Sequence, residues 1–285
     1  MEARFYDDAG DFWAVARELY EADPVRHTTV LSVIHAVLNA PQPDAAPLVL
    51  VTLHDDEGFV TGAAMRTPPW PMGLSGVELE DVPLLVDALL PRHPELGSVV
   101  GPKDVSEAFA AAWAAASNSD VQTVVDLRLY RLDDLALPEV PGAARIATEA
   151  DLDLVAEHWF AFATGELSHR GTTLADSEND FRRHLKLGTG VLLWEHDGAV
   201  VSSAAAKVPN AGASRIGPVY TPPEHRRHGY AAAATAAAAQ WARHAGAKEV
   251  LLYTDLANPT SNGVYHRIGF RPVTDFVEFA FTPRA

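Results

Sequence analysis

The chain has 285 residues, 48% of them hydrophobic, and its 38 Asp and Glu against 22 Lys and Arg give a formal charge of −16. So acidic a protein offers no general surface for nucleic acid or anionic lipid, which need a basic footprint, and a composition this apolar excludes overall disorder and suffices for one large or two ordinary domains. With no cysteine there is no disulfide framework, no thiolate nucleophile and no Cys-based metal or redox site.

Met1 to Asp11 is polar and acidic and lacks the basic start and apolar core of a signal peptide. The longest weakly apolar run, Tyr230 to Ala239, is too short and alanine-rich for a bilayer span of about 20 strongly apolar residues. A cytoplasmic protein with neither membrane nor nucleic-acid partners is expected. Pro47 to Leu53 and Phe59 to Met65 are β-rich runs around the turn-like His54 to Gly58 and read as a hairpin. Val82 to Leu90 has helical apolar spacing closed by Pro91, Val99-Val100 a short strand, Val105 to Ser117 a second helix, and Val121 to Leu132 the alternation of a half-buried strand. Asp133 to Gly142, with Pro138 and Pro141, denies helix and central strand alike and sets a domain boundary, giving domains at 1–137 and 143–285.

The second half repeats the order. Arg145 to Ala147 reads as a strand, Thr148 to Asp151 as a helix start before Leu152 to Phe162, and Val191 to Glu195 with Ala199 to Lys207 as a hairpin around His196-Asp197-Gly198. Arg215 to Tyr220 is the next strand, Gly229 to His244 a long helix closed by Gly246, and Glu249 to Thr254 a strand. A short helix through Val264-Tyr265 and a strand near Val277 to Phe281 end the chain. Each half thus reads hairpin, strand, helix, strand, an internal duplication of fold.

Ile216 to Ala231, IGPVYTPPEHRRHGYA, carries the chemistry: a strand, a proline-marked exit, a basic cluster, and glycine at the mouth of an alanine-rich helix. Backbone N–H groups at a helix N-terminus lack internal partners, the helix dipole favours negative charge there, and Gly229 allows close approach, so this is an anion site. A capped core helix with a solvated basic entrance is the alternative reading. His225 and His228 stand three apart as metal ligands can, but no third ligand is evident and no metal is expected. Gly97 to Lys103 has the wrong glycine and lysine spacing for a phosphate loop, and Trp159, Phe160 and Phe162 suit core packing or a pocket wall.

Arg226-x-x-Gly229-x-Ala231 after a strand resembles the pyrophosphate motif of the GNAT acetyltransferase superfamily, and Asn258 to Phe270, NPTSNGVYHRIGF, is similar to that family's closing motif. The resemblance covers Arg145 to the C-terminus and implies an α/β (α+β) fold of two GNAT-like domains, each a mixed, mostly antiparallel sheet flanked by helices. It implies acetyl transfer from acetyl-CoA to a primary amine of a small molecule, without a metal. A non-catalytic acyl-CoA-binding module and a protein or peptide N-acetyltransferase are the other readings.

By the resemblance, Pro218, Val219 and Tyr220 would pair with the pantetheine arm and polarise the thioester. Arg226, Arg227, His228, Gly229, Tyr230 and Ala231 would hold the diphosphate, Asn258 would hold pantetheine, and Tyr265 would protonate the departing thiolate, unless it is an ordinary packed aromatic. Glu166 and His169 lie in the segment corresponding to the family's substrate-facing loop, where either could bind or deprotonate the amine or be a solvated loop residue. Glu224, beside Pro222-Pro223, suits a helix-start charge.

In the first half, Val99 to Trp113 takes the place of Val219 to Ala233 but offers Asp104 and Glu107 where a diphosphate would sit, so this half is expected to be a degenerate domain that covers the acceptor cleft and supplies an interface, as a homodimer would use.

Overall fold

The computed structural model describes residues 1–42, 45–165 and 172–284. In chain order it holds β1 (Glu2–Tyr6), α1 (Ala9–Ala22), α2 (Thr28–Asn39), β2 (Val49–His54), β3 (Val60–Arg66), β4 (Met72–Gly76), α3 (Val82–Leu89), β5 (Ser98–Pro102), α4 (Lys103–Ser117) and β6 (Ser119–Leu132). There follow β7 (Ala143–Ile146), α5 (Leu152–Gly165), α6 (Leu174–Lys186), β8 (Gly190–His196), β9 (Ala199–Ala206), β10 (Ala213–Tyr220), α7 (Tyr230–His244), β11 (Glu249–Asp255), α8 (Pro259–Arg267) and β12 (Phe270–Pro283). Among the described residues no helix is long and apolar enough to cross a membrane.

Two compact units are interleaved in sequence. The first comprises Met1–Leu129, Thr254–Ala257 and Val273–Ala285, the second Tyr130–Tyr253 and Asn258–Pro272. Chain-terminal β12 therefore finishes inside the first unit, where the strands run β1-β2-β3-β4-β5-β12-β6. It pairs antiparallel with β5, Phe276 opposite Pro102 and Ala280 opposite Ser98. Two interactions hold it there. Phe281 is buried against Phe109 and Trp113 at ring distances of 6.4 and 6.0 Å, a burial that contributes roughly 1.5–3 kcal/mol. Arg128 Nε and Nη2 grip the Asp275 carboxylate at 2.6 and 2.9 Å.

Each unit buries both faces of its sheet. In the first, Val51, Leu74 and Val99 pack under α3 and α4, while Leu50, Ala63 and Met65 pack under α1 and α2. The second unit, with strand order β11-β10-β9-β8-β7, repeats this. Leu192, Ala204, Ile216 and Leu252 face α7 and α8, and Val191, Leu193 and Ala205 face α5 and α6. Alternation along each strand puts successive side chains in opposite cores.

The duplication extends to every element. Each unit begins with a strand and two helices, then an antiparallel hairpin (β2-β3, β8-β9) and a third antiparallel strand (β4, β10). A crossover helix (α3, α7) leads to a parallel strand (β5, β11), and each half of the sequence then adds a helix and a last strand (α4 and β6, α8 and β12), with β12 ending in the first unit. The strand pairing corrects one expectation. Val99 to Trp113 is the counterpart of β11 and α8, because β5 is the strand reached by a crossover; the counterpart of β10, its exit and α7 is β4, Val77–Asp81 and α3. The sequence pattern also leaves β1, α1, α2, β4 and α6 unassigned.

Candidate functional site

β10 changes partners along its length. From Ala213 to Ile216 it pairs parallel with β11, opposite Glu249 to Leu252. On its other side it pairs with β9, Ile216 opposite Ala206, then Val219 opposite Ala204 and Tyr220 opposite Ser203, with a bulge between Ile216 and Val219. Gly217 has φ +150° and Pro218 carries no N–H, so the bulge falls where the ladder can lose a donor. The registered pairing with β11 therefore stops at Ile216 while β9 carries the strand on to Tyr220. Residues 217–220 share no registered pairing with β11.

The exit from β10 is tied down by polar contacts. Ser202 Oγ lies 3.0 Å from Tyr220 O, to which it donates, and 2.8 Å from Thr221 Oγ1; Arg226 Nε donates to Thr221 O at 3.1 Å. A single 3-10 turn, Pro223–His225, precedes Arg226 to Gly229, all exposed. Arg227 and Gly229 take left-handed φ of 65° and 84°, turn conformations of the kind from which anion-binding concavities can be built. Gly229 is the N-cap of α7 and no side chain caps that end. By contrast, α1 is capped by Asp8, α6 by Thr173 and α8 by Asn258. A Cβ on Gly229 would also lie 2.8 Å from Val140 Cγ2, so the position needs glycine for space as well as for φ. Ala232, Ala233 and Ala234 are buried, so α7 lies close on its sheet.

The remaining candidates fall as follows. Asn258 accepts from Ser261 N at 3.0 Å as the cap of α8. Tyr265 is buried in the core beneath α7 and α8, its ring edge-on to Phe270 at 6.1 Å. His228 stacks on Tyr230 at 5.5 Å, and Tyr230 also meets His196 at 5.7 Å. Glu224 is exposed on the 3-10 turn. Glu166 and His169 lie outside the described residues. Among the described residues, no group of three or more His, Cys, Asp and Glu side chains is placed to hold a metal ion.

Sequence reasoning misses His158. It sits on α5, buried, with its ring 5.1 Å from that of Tyr220 and Nδ1 2.9 Å from Ser203 Oγ, the residue opposite Tyr220 in the ladder. Burial pushes its pKa down to about 4, against the pull of the Glu224 carboxylate, so the ring is neutral near pH 7. It backs the last residue of β10 from the side of the sheet opposite α7. The only sequence signal is a lone histidine within an apolar helix.

Comparison with known proteins agrees with this geometry. Residues 153–270 match the family model described as Acetyltransferase (GNAT) family. No curated protein matches the sequence. Among solved structures, an acetyltransferase of the GNAT family from Colwellia psychrerythraea is 12% identical over 99% of this chain and 100% of its own, with TM-score 0.60. A Drosophila protein is 12% identical over 99% of both chains with TM-score 0.70. A tandem GNAT protein from the clavulanic acid biosynthesis pathway is 16% identical over 99% of this chain and 98% of its own, with TM-score 0.60. At such identities the likeness is one of fold. Residues 153–270 thus match the acetyltransferase (GNAT) family model, and the chain as a whole shares its fold with a tandem GNAT protein.

Proposed function

We propose that the second unit transfers an acetyl group from acetyl-CoA directly to the primary amine of a small molecule. The observation that carries this reading is the end of β10–β11 pairing at Ile216, followed at once by the uncapped, left-handed turn Arg226 to Gly229 at the mouth of α7. The first feature opens a slot for an extended polar arm. The second sets amides and two guanidinium groups where a diphosphate would end that arm.

In this reading the backbone of Pro218, Val219 and Tyr220 takes the place of the missing strand partner for pantetheine. An N–H of Val219 or Tyr220 polarises the thioester carbonyl as the oxygen gains charge. Arg226, Arg227 and the amides to Ala231 bind the diphosphate, beside His228 and Tyr230, and Asn258 supports pantetheine. The amine attacks from the α5–α6 side, where His158 and Ser203 hold Tyr220 in place. A C–N bond forms, the C–S bond breaks, the thiolate takes the Tyr265 phenol proton, and the ammonium proton leaves to Glu166, His169 or solvent.

The experiment is to mix protein, acetyl-CoA and a panel of small amines and follow free CoA, with acetyl-CoA binding measured separately by calorimetry. Amine-dependent thiol release is expected. Binding without consumption of any acceptor would assign a non-catalytic module, and peptides outcompeting free amines would assign a protein acetyltransferase.

A further inference from the structure

The face of the second unit's sheet beneath α5 and α6 is apolar at Val191, Leu193 and Ala205, yet beside that core it gathers ionisable side chains. Asp180, Arg183 and His184 stand at i, i+3 and i+4 on α6 and so share one side of the helix. Lys207 follows β9, and its backbone is fixed by a bond from Lys207 N to Arg215 O (3.0 Å) and by one from Ser214 Oγ to Lys207 O (2.6 Å). Lys207 Nζ lies 2.9 Å from His184 Nε2 and 5.8 Å from the centroid of Trp159. His184 stands edge-on to Trp159 at 5.2 Å with Nδ1 3.1 Å from Thr189 Oγ1. Arg215 alternates with Ile216, whose side chain lies under α7, so its guanidinium points to the α6 side and adds its charge to that felt by Lys207 and His184.

The balance of this cluster is unusual for a structural lysine. Burial holds Lys207 down to about 7, the Arg215 and Arg183 charges push the same way, and the Asp180 carboxylate opposes them. Among the described residues, no carboxylate stands within ion-pair distance of Lys207 Nζ; its near neighbours are an imidazole and an indole face. A sheltered ammonium costs free energy unless an opposite charge meets it. As residues, Lys207, Arg183, Arg215 and Asp180 all keep partial exposure.

We infer that this cluster seats a carboxylate of the acceptor, so that the amine acylated at β10 belongs to a molecule carrying both groups. This rests on the transfer reading above. Val219 lies four positions beyond Arg215 on β10, about 13 Å of strand, which suits an extended acceptor whose two groups lie several bonds apart. The chemical class is therefore an amino acid with its amine far from its carboxylate, with the indole of Trp159 beside the carboxylate end.

The test pairs turnover with a binding measurement that needs no chemistry. With acetyl-CoA, kcat/KM for 6-aminohexanoate is expected to exceed that for hexylamine by about tenfold or more, and Lys207→Met to erase the preference chiefly through KM. Calorimetry should show hexanoate, and not hexanol, binding the wild-type protein, with affinity falling about tenfold in Lys207→Met and retained in Lys207→Arg. Lys207→Arg also serves if the methionine variant fails to fold, since loss of hexanoate binding despite the kept charge and a folded spectrum would overturn the site. Amines acylated without regard to a carboxylate, or hexanoate binding equally to Lys207→Met, would overturn the inference and leave the transferase standing. No amine acylated while hexanoate binds through Lys207 would overturn the transferase and leave the anion seat. Preference for 6-aminohexyl phosphate over 6-aminohexanoate would replace the carboxylate by a phosphate and so overturn the class named.

Discussion

The exits of β10 and β4 occupy the same place in two copies of one fold, and they are built to opposite ends. After β10 the chain makes an exposed turn with two left-handed residues, two arginines and an uncapped helix mouth. After β4 the backbone oxygens are already taken. Arg26 Nε donates to Ser75 O at 2.9 Å and Nη2 to Val77 O at 3.3 Å, while Nη1 meets Glu78 at 3.2 Å. His27 adds a bond to Ser75 Oγ at 3.1 Å, and the following 3-10 turn, Leu79–Asp81, carries two carboxylates, where the other carries Glu224 and leads into Arg226 and Arg227. Gly76 is closed in as well: a Cβ there would lie 2.7 Å from both Ala63 O and the Tyr20 ring. One exit is open and the other is filled by its own chain, so on the proposed reading the difference in function lies in a few side chains and not in the fold.

The largest effects should come from breaking the open exit. Replacing Tyr265 by Phe removes the phenol proton and keeps the packing against Phe270. A fall of about 100-fold in kcat is expected with KM for acetyl-CoA nearly unchanged, measured by steady-state CoA release. Undiminished kcat would leave Tyr265 a packed aromatic. Gly229→Ala should come next. A left-handed φ with a Cβ costs about 1–3 kcal/mol, and relief from Val140 must move the turn, so acetyl-CoA should bind about tenfold more weakly by calorimetry. The same measurement on Glu80→Ala, in the equivalent turn of the first unit, should show no change.

Filling can be undone on the other side. Arg26→Met should destabilise the first unit by about 1–3 kcal/mol in a denaturant titration, because the carbonyls of Ser75 and Val77 lose their charged donor. Acetyl-CoA affinity should not move. A changed affinity would mean that the β4 exit takes part in cofactor binding and that the contrast between the exits is one of degree.

What the sequence reveals is what depends on neighbouring residues. Arg226-x-x-Gly229-x-Ala231 is legible because the turn, its glycine and the helix it opens are contiguous, and β8 with β9 because a two-residue Asp197-Gly198 turn joins them. β4, Met-Gly-Leu-Ser-Gly, is short, has no β-branched residue and holds two glycines, so its equivalence to β10 emerges only from pairing with β3 and β5. In α6 the apolar positions are sparse between Leu174 and Phe181, although the Thr173–Asp176 capping box was a usable signal. His158 and Lys207 are single polar residues whose partners, Ser203 and His184, lie 45 and 23 positions away. The total charge misleads in the same way: −16 describes the surface, while Arg226 and Arg227 on one side of the second unit's sheet and Lys207 on the other are local.

The smallest effect concerns pH and links the two exits through their histidines. Burial, helped by the Arg26 charge and opposed by Asp23, pushes His27 down to about 4, and burial does the same to His158. Above pH 6.5 each ring is neutral folded or unfolded and contributes no slope. Between pH 6.5 and 4 the unfolded chain takes up a proton that the folded one refuses, so stability falls as pH falls, and below 4 the loss is complete. At pH 5.5 each histidine should account for about 1 kcal/mol of that loss. His27→Gln should therefore flatten the decline between pH 7 and 5.5 by about that amount in denaturant titrations, leaving the His158 share. Arg26→Met should flatten it slightly too, since removing the neighbouring cation lets His27 titrate higher. An unchanged slope in His27→Gln would show that His27 exchanges protons freely with solvent in the folded protein. The β4 exit would then be looser than the contacts around Ser75 imply, and closer in kind to the open exit of β10.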